Sequence, residues 1–214
     1  MKQPFDSYPL WGAHSPLSTL AGGGILILSS SRFSFALVSA GSLLWVYCLT
    51  ALVIYAARPI FPQNGRQGLY VFLSAIIGSL YLLLLWFISP LLVLDTFFFL
   101  ILSPVCFIAS GLLERLGLEN YSEPPKIEAV LARSFSEAAA LGVLSLALAL
   151  IREPIGFAVL SFPGGAQGIV TLFAAEEEGF FPVRIVAASA GALVLLGYGI
   201  ALFRRIRDFH EEGR

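Results

Sequence analysis

Long apolar runs, separated by connections that hold most of the charge, constrain the fold of this chain more than any other feature. A run of about 18 apolar residues is long enough to cross the hydrocarbon core of a bilayer as a helix. We predict six membrane-spanning segments: 17–31, 34–57, 68–88, 91–113, 135–151 and 183–203. The first segment is short and rich in glycine (LAGGGILIL).

The composition excludes an ordinary soluble domain. The chain is 57% hydrophobic and 13% charged, whereas about a quarter of the residues of a soluble domain are charged. The net charge of −1 gives no sign of a nucleic-acid partner. We therefore expect an all-α, polytopic membrane protein that contacts the lipid bilayer and binds no nucleic acid.

The chain is expected to form a single integral membrane domain over residues 1–214. The predicted parts are an N-terminal tail (1–16), the first four spans (17–113), a polar loop (114–134), the last two spans (135–203) and a basic tail (204–214). A stretch rich in glycine and phenylalanine (155–181) separates the last two spans. We expect that stretch to lie on the membrane or to dip into it.

Lysine and arginine are distributed unequally between the two sides of this six-span arrangement. Three of the thirteen, Arg32, Arg152 and Arg184, fall on one side, together with the acidic run 176–178. The other ten fall on the side that holds both termini. Because basic residues concentrate in cytoplasmic loops, we predict that both termini are cytoplasmic and that the protein lies in the inner (cytoplasmic) membrane.

Six spans divide into two halves of three, which then cross the membrane in opposite directions. This 3+3 inverted repeat uses broken first and fourth helices, whose free backbone groups must be satisfied by protein or by a cavity. The first and fourth segments resemble each other loosely, since each passes from apolar to small residues and then to a charge. Chance similarity between two apolar segments explains the match equally well.

Cys106 lies inside the apolar run ILSPVCFIASG (101–111). A buried cysteine can be an ordinary small apolar side chain, or it can be a ligand of an iron–sulfur cluster, which needs four thiolates as a rule. The only other cysteine, Cys48, is in a different predicted span. A cluster would therefore need ligands from a partner subunit.

Three charged residues at span ends are candidates for an ion path. Arg152 and Glu153 precede Pro154, which is expected to end the fifth helix. Asp95 lies early in the fourth segment, in LLVLDTFFF. Each of these residues can be a solvated helix terminus or an ion-pathway charge, because charges inside a membrane are costly and mostly functional.

Three stretches resemble the six-helix membrane subunits of the Rnf and Nqr complexes. SPVCFIASG is similar to the NCxxLG motif of that family, and ALALIREPIGF is similar to its fifth-helix ending, IREILG. LAGGGILILSSSRFSFALVSAG resembles its first-helix region in length and in the closing Gly41. The three matches occur in the order of the family and spread over most of the chain.

The resemblance implies two homologous subunits of opposite orientation that share a [2Fe–2S] cluster, each giving two cysteines. Cys106 matches the second of these cysteines, whereas the first falls at Ile25, and Cys48 belongs to the second helix. A three-thiolate cluster, a different fourth ligand and no cluster all remain open. The fifth-helix ending favours the E/D-type member, although PVRIVAASAG (182–191) is similar to the A-type.

The expected function is that of a membrane subunit in an Rnf-type ion-translocating electron-transport complex. Such a subunit passes electrons across the membrane beside its homologous partner and the other Rnf-type subunits, and is not an enzyme alone. One alternative is a secondary transporter or channel built as an inverted repeat. Another is an assembly subunit that kept the fold without the cofactor, which the residue at position 25 favours.

Overall fold

The computed structural model describes residues 20–59, 66–110, 112, 126–174 and 183–212. Its helices are α1 (Leu20–Ser29), α2 (Phe33–Ala57), α3 (Arg66–Ile88), α4 (Pro90–Ala109), α5 (Ile127–Phe157), α6 (Arg184–Ala187) and α7 (Ser189–Glu212). Helices α2, α3, α4 and α5 are long and apolar enough to cross a membrane. The protein is thus mostly helical and membrane-embedded, as the sequence predicts.

The first and last predicted segments both contain a helix end. The described part of α1 has ten residues, about 15 Å of helix, and it ends at Ser29, inside the predicted segment 17–31. The last segment (183–203) breaks at Ala188, which is extended, and α7 then continues through most of the predicted basic tail. Helix α4 runs without a break from Pro90 to Ala109, and a turn at Ser110 follows inside the predicted segment 91–113.

Helix α5 is longer at both ends than the predicted span 135–151. It starts at Ile127, inside the predicted polar loop, where Glu128 in the first turn complements the helix dipole. Pro154 does not end the helix, which continues to Phe157 and closes when the Ala158 N–H bonds to the Pro154 carbonyl. The helix continues because Arg152 and Glu153 are held by bonds to other helices.

A two-stranded antiparallel hairpin follows α5 and corrects the all-α prediction. Strands β1 (Val159–Pro163) and β2 (Ile169–Ala174) pair with Phe162 opposite Val170, and a 3₁₀ turn joins them. Gly168, with φ of 78°, lies against the start of α4: a Cβ there would be 3.2 Å from the Leu91 Cβ. The hairpin thus covers the end of the bundle where α2 and α4 begin and α3 and α5 end, called here the hairpin end.

Helix α2 is the centre of the bundle and packs most extensively on α5. Small residues permit this approach: a Cβ on Gly142 would lie 3.0 Å from the Ala40 Cβ. On its other side, Tyr81 of α3 donates a hydrogen bond to the Val38 carbonyl at 2.9 Å. Helix α3 packs chiefly on α4 and leaves most of its residues at the protein surface.

Three sequence predictions fall outside the described residues. They are the N-terminal tail (1–16), the part of the polar loop from 114 to 125, and the acidic run 176–178.

Candidate functional site at the helix junctions

Arg152 is the largest fully buried side chain described, with 1% of its surface exposed. It lies in the penultimate turn of α5 and faces the ends of two short helices. From α1 it meets the Ile27 carbonyl, at 3.0 Å from Nη1, and the Ser30 hydroxyl. From the end of α6 it meets the carbonyls of Val186 (3.2 Å), Ala187 (2.8 Å) and Ala188 (3.2 Å).

These contacts occupy the donor capacity of the guanidinium, which offers five N–H groups. The carbonyls in the last turn of a helix lack partners within the helix and carry partial negative charge. Among the described residues Arg152 forms no ion pair, so its charge is balanced by helix ends rather than by a carboxylate. Arg152 therefore satisfies backbone groups that the ends of α1 and α6 leave open, as a membrane interior requires.

Glu153 serves the third helix end at this site. It is completely buried, and its Oε2 accepts a hydrogen bond from the Phe33 N–H at 2.7 Å. Arg32, at the N-cap position of α2, provides no side-chain cap, and Glu153 supplies that acceptor from α5. A negative charge at a helix N-terminus is stabilised by the helix dipole.

The second oxygen of Glu153, Oε1, is buried and has no hydrogen-bond partner in the part of the chain that the structure describes. A buried unsatisfied carboxylate oxygen costs free energy. The site therefore combines four satisfied helix-end carbonyls with one buried carboxylate oxygen that lacks a hydrogen-bond partner among the described residues.

The hairpin and Arg32 close the site. Ser161 of β1 bonds to Ser34 in the first turn of α2, with 3.0 Å between the hydroxyl oxygens. The Arg32 guanidinium lies 5.8 Å from the ring centres of Phe35 and Phe157, within cation–π range. The junction is thus held by α1, α2, α5, α6 and the hairpin together.

Cys106 belongs to a separate buried cluster. Its side chain is completely buried, and the Tyr47 hydroxyl donates to its Sγ at 3.4 Å. The Tyr47 ring packs edge-on against Phe107, with ring centres 5.2 Å apart. Glu137 of α5 is 1% exposed, and its carboxyl interacts electrostatically with both Tyr47 and Cys106.

The described residues around Cys106 supply a single thiol, which cannot hold a [2Fe–2S] cluster without ligands from elsewhere. Ile25, at the position where the family resemblance expects the companion cysteine, is completely buried in the same hydrophobic core as Cys106. Cys48 is half-buried on α2, next in sequence to Tyr47. Among the described residues no three His, Cys, Asp or Glu side chains come together as metal ligands, and the enclosed Cys106 thiol faces Tyr47 rather than an outer surface.

Asp95 is part of neither group. It lies at the protein surface in the second turn of α4, and no hydrogen bond or ion pair to it occurs among the described residues. The structure therefore brings two of the three predicted ion-path residues, Arg152 and Glu153, to one site and separates Asp95 from them.

Sequence reasoning missed the groups that form hydrogen bonds with Arg152 and Glu153. The acceptors of Arg152 are mostly main-chain carbonyls, which leave no trace in residue type. Glu137 did leave a signal, since it is an acid within the small-residue stretch SEAAALG of a predicted span.

Comparison of the whole chain with protein-family models gave no match, and a search among curated proteins likewise gave no significant relative.

Proposed function

We propose that this chain is a membrane subunit of an Rnf-type ion-translocating electron-transport complex. The observation that carries the proposal is the buried Arg152–Glu153 pair at the junction of three helix ends. The pair lies in the stretch that resembles the fifth-helix ending of that family. Charged residues inside a membrane bundle mark ion and substrate pathways by default, and broken helices are where transport proteins build such sites.

In this proposal the chain acts without a cluster of its own. Ile25 cannot ligate iron, and Cys106 is enclosed by its own chain. The subunit would then supply the scaffold and the ion route, with the unpartnered Glu153 Oε1 as the polar atom that meets the moving ion. Its partner would be a homologous six-helix subunit of opposite orientation, beside the other Rnf-type subunits.

The proposed topology is a 3+3 arrangement in the inner membrane with both termini cytoplasmic. It rests on the ten-to-three distribution of Lys and Arg. The hairpin end, which holds Arg32, Arg152 and Arg184, would then face away from the cytoplasm. A cytoplasmic reporter fused to the C-terminus should be active, whereas activity of a periplasmic reporter there would contradict the topology.

The test of function uses inverted membrane vesicles from the native host, supplied with reduced ferredoxin and NAD⁺. Deletion of the chain should abolish electron transfer coupled to Na⁺ or H⁺ uptake. Glu153→Gln should lower ion uptake per electron transferred, since the carboxylate is lost while the shape is kept. Glu128→Gln is the matched control, because Glu128 is exposed on the same helix.

A secondary transporter is the second candidate, and the helix interruptions at the Arg152 site favour it. The two proposals give opposite results in two measurements. If the deletion strain keeps electron-coupled ion uptake, the Rnf-type proposal is wrong. If the purified chain alone moves a solute into liposomes, the transporter is supported in its place.

A further inference from the structure

The turn between α3 and α4 has no polar loop. Helix α3 ends at Ile88, Ser89 is the only residue between the helices, and α4 starts at Pro90. Residues 67–94 contain no Asp, Glu, Lys or Arg. The tip is apolar and exposed, with Phe87 80% and Ile88 57% at the surface. Such a tip lies within the membrane or at its border and not in water.

Asp95 is the first charge after this apolar tip. It follows Pro90 by five residues, which places it about 7.5 Å along α4 from the tip. Leu91 and Phe98, four residues before and three after, share its helix face and are 53% and 80% exposed. A carboxylate on such a face is costly against lipid tails and needs a partner, and the described part of the chain supplies none.

A long groove runs between α3 and α4; Asp95 does not line it, but Leu94 and Phe98, one residue before and three after, do. It consists of two cavities of about 520 and 560 Å³ that meet at Leu82. Leu94 and Phe98 line the cavity nearer the tip. Ser74, Ala75, Gly78 and Ser79 line the other cavity and give α3 two small-xxx-small pairs. Ser74 and Gly78 are buried, and a Cβ on Gly78 would lie 2.6 Å from Pro104 Cγ, so this pair serves the contact with α4. Ala75 and Ser79 are exposed, and small residues at this spacing allow a further helix to approach closely.

We propose that this α3–α4 face, defined by the groove and Asp95, binds a transmembrane helix of another protein that presents a Lys or Arg side chain to Asp95. Lipid tails could fill the groove but offer no donor to the carboxylate. A basic residue on a helix seated there provides both the apolar packing and the opposite charge. The inference requires only that the chain is in a membrane and is independent of electron transport.

The experiment is site-specific photo-crosslinking of the full chain in its native membranes. Benzoylphenylalanine replaces Phe98, which lines the groove, or Val143, which is 65% exposed on α5 and lines neither cavity. The Phe98 probe should give an adduct with a membrane-spanning peptide of another protein that contains Lys or Arg. The Val143 probe should not give that adduct.

Two variants test the role of the charge and of the groove. Asp95→Leu should reduce the Phe98 adduct about tenfold, the change that losing about 1.4 kcal/mol of association free energy produces, and Asp95→Glu should restore it. Ser79→Leu keeps the charge but fills the groove, and should reduce the adduct as well. The amount of chain in the membrane, measured by blotting, normalises each yield.

Four results would overturn the proposal. They are adducts with lipid only, adducts with a second copy of this chain, a partner peptide without Lys or Arg, and a yield that Asp95→Leu leaves unchanged.

Discussion

The junction around Arg152 and the cluster around Cys106 both place polar groups inside an apolar bundle, but they are held in different ways. Arg152 makes five hydrogen bonds, four of them to main-chain carbonyls. Cys106 accepts one bond to sulfur, from the Tyr47 hydroxyl. The Arg152 bonds satisfy main-chain carbonyls at the ends of α1 and α6. The Cys106 bond joins two side chains, and other apolar residues could replace that contact.

The difference shows where substitutions will be tolerated. Removing a buried charged side chain breaks its hydrogen bonds. It also leaves the bonded groups buried and unsatisfied, which costs further free energy. Removing a small buried thiol loses some packing and one weak bond. The two sites should therefore separate clearly in measurements of unfolding free energy.

Arg152→Met should have the largest effect, a loss of about 3–5 kcal/mol in unfolding free energy, as when one partner of a buried charge network is removed. It leaves the ends of α1 and α6 without a donor. Arg152→Lys should lose less, because an ammonium offers three donors in place of five. Urea unfolding in detergent micelles, followed by tryptophan fluorescence, measures both.

Lys126→Met is the control for Arg152→Met, since Lys126 is exposed at the start of α5. If Arg152→Met unfolds at the urea concentration of the Lys126→Met control, the helix ends do not depend on the guanidinium.

Gly156→Ala should have the next largest effect, a loss of about 1–3 kcal/mol in unfolding free energy, which is the usual cost of overpacking. A Cβ there would lie 2.8 Å from the Ala187 Cβ and 2.9 Å from its backbone nitrogen, so α6 and its carbonyls must move. Gly197→Ala is the control, because that position is open and Ala favours a helix over Gly. Equal unfolding free energies of the two variants would contradict the close contact.

Glu153→Gln should cost about 1 kcal/mol, the difference between hydrogen bonds to charged and to neutral acceptors. Gln keeps an acceptor for the Phe33 N–H but loses the charge that favours the N-terminus of α2. Hydrogen–deuterium exchange of a peptide covering residues 30–36 should become faster. Unchanged exchange would show that Glu153 does not cap α2.

Cys106→Ala and Tyr47→Phe should have the smallest effects, below about 1.5 kcal/mol each. In the cofactor-free form of the proposed function, Cys106→Ala also leaves the iron content and electron-transfer rate of the assembled complex unchanged. Loss of both would show that Cys106 ligates iron, and the enclosure of its thiol would then have to open in the complex.

Much of the fold can be predicted from the sequence, because the length of an apolar run directly indicates a membrane-spanning helix. The spans at 34–57, 68–88 and 91–113 correspond to α2, α3 and α4 within a few residues. The ends of α5 do not follow, since Pro154 reads as a stop signal while the bonds of Arg152 and Glu153 keep the last turn helical. The hairpin was also missed, because its strands lie in a mixed glycine- and phenylalanine-rich stretch.

The sequence predicts the charged residues of the candidate site but not the groups to which they bond. Arg152 and Glu153 stand out as charges at the end of an apolar run. Ile27, Val186 and Ala187 contribute through their carbonyls, so their side chains give no hint of that role. Only the tertiary arrangement brings the ends of α1 and α6 to one guanidinium.

The uncharged turn at Ser89 has a consequence for how the protein enters its membrane. From residue 67 to residue 94 no charged group has to be carried across the bilayer. Helices α3 and α4 can therefore insert together as a closed pair, at the cost of burying one carboxylate, Asp95. Insertion of this pair therefore needs no transfer of a hydrophilic loop across the bilayer.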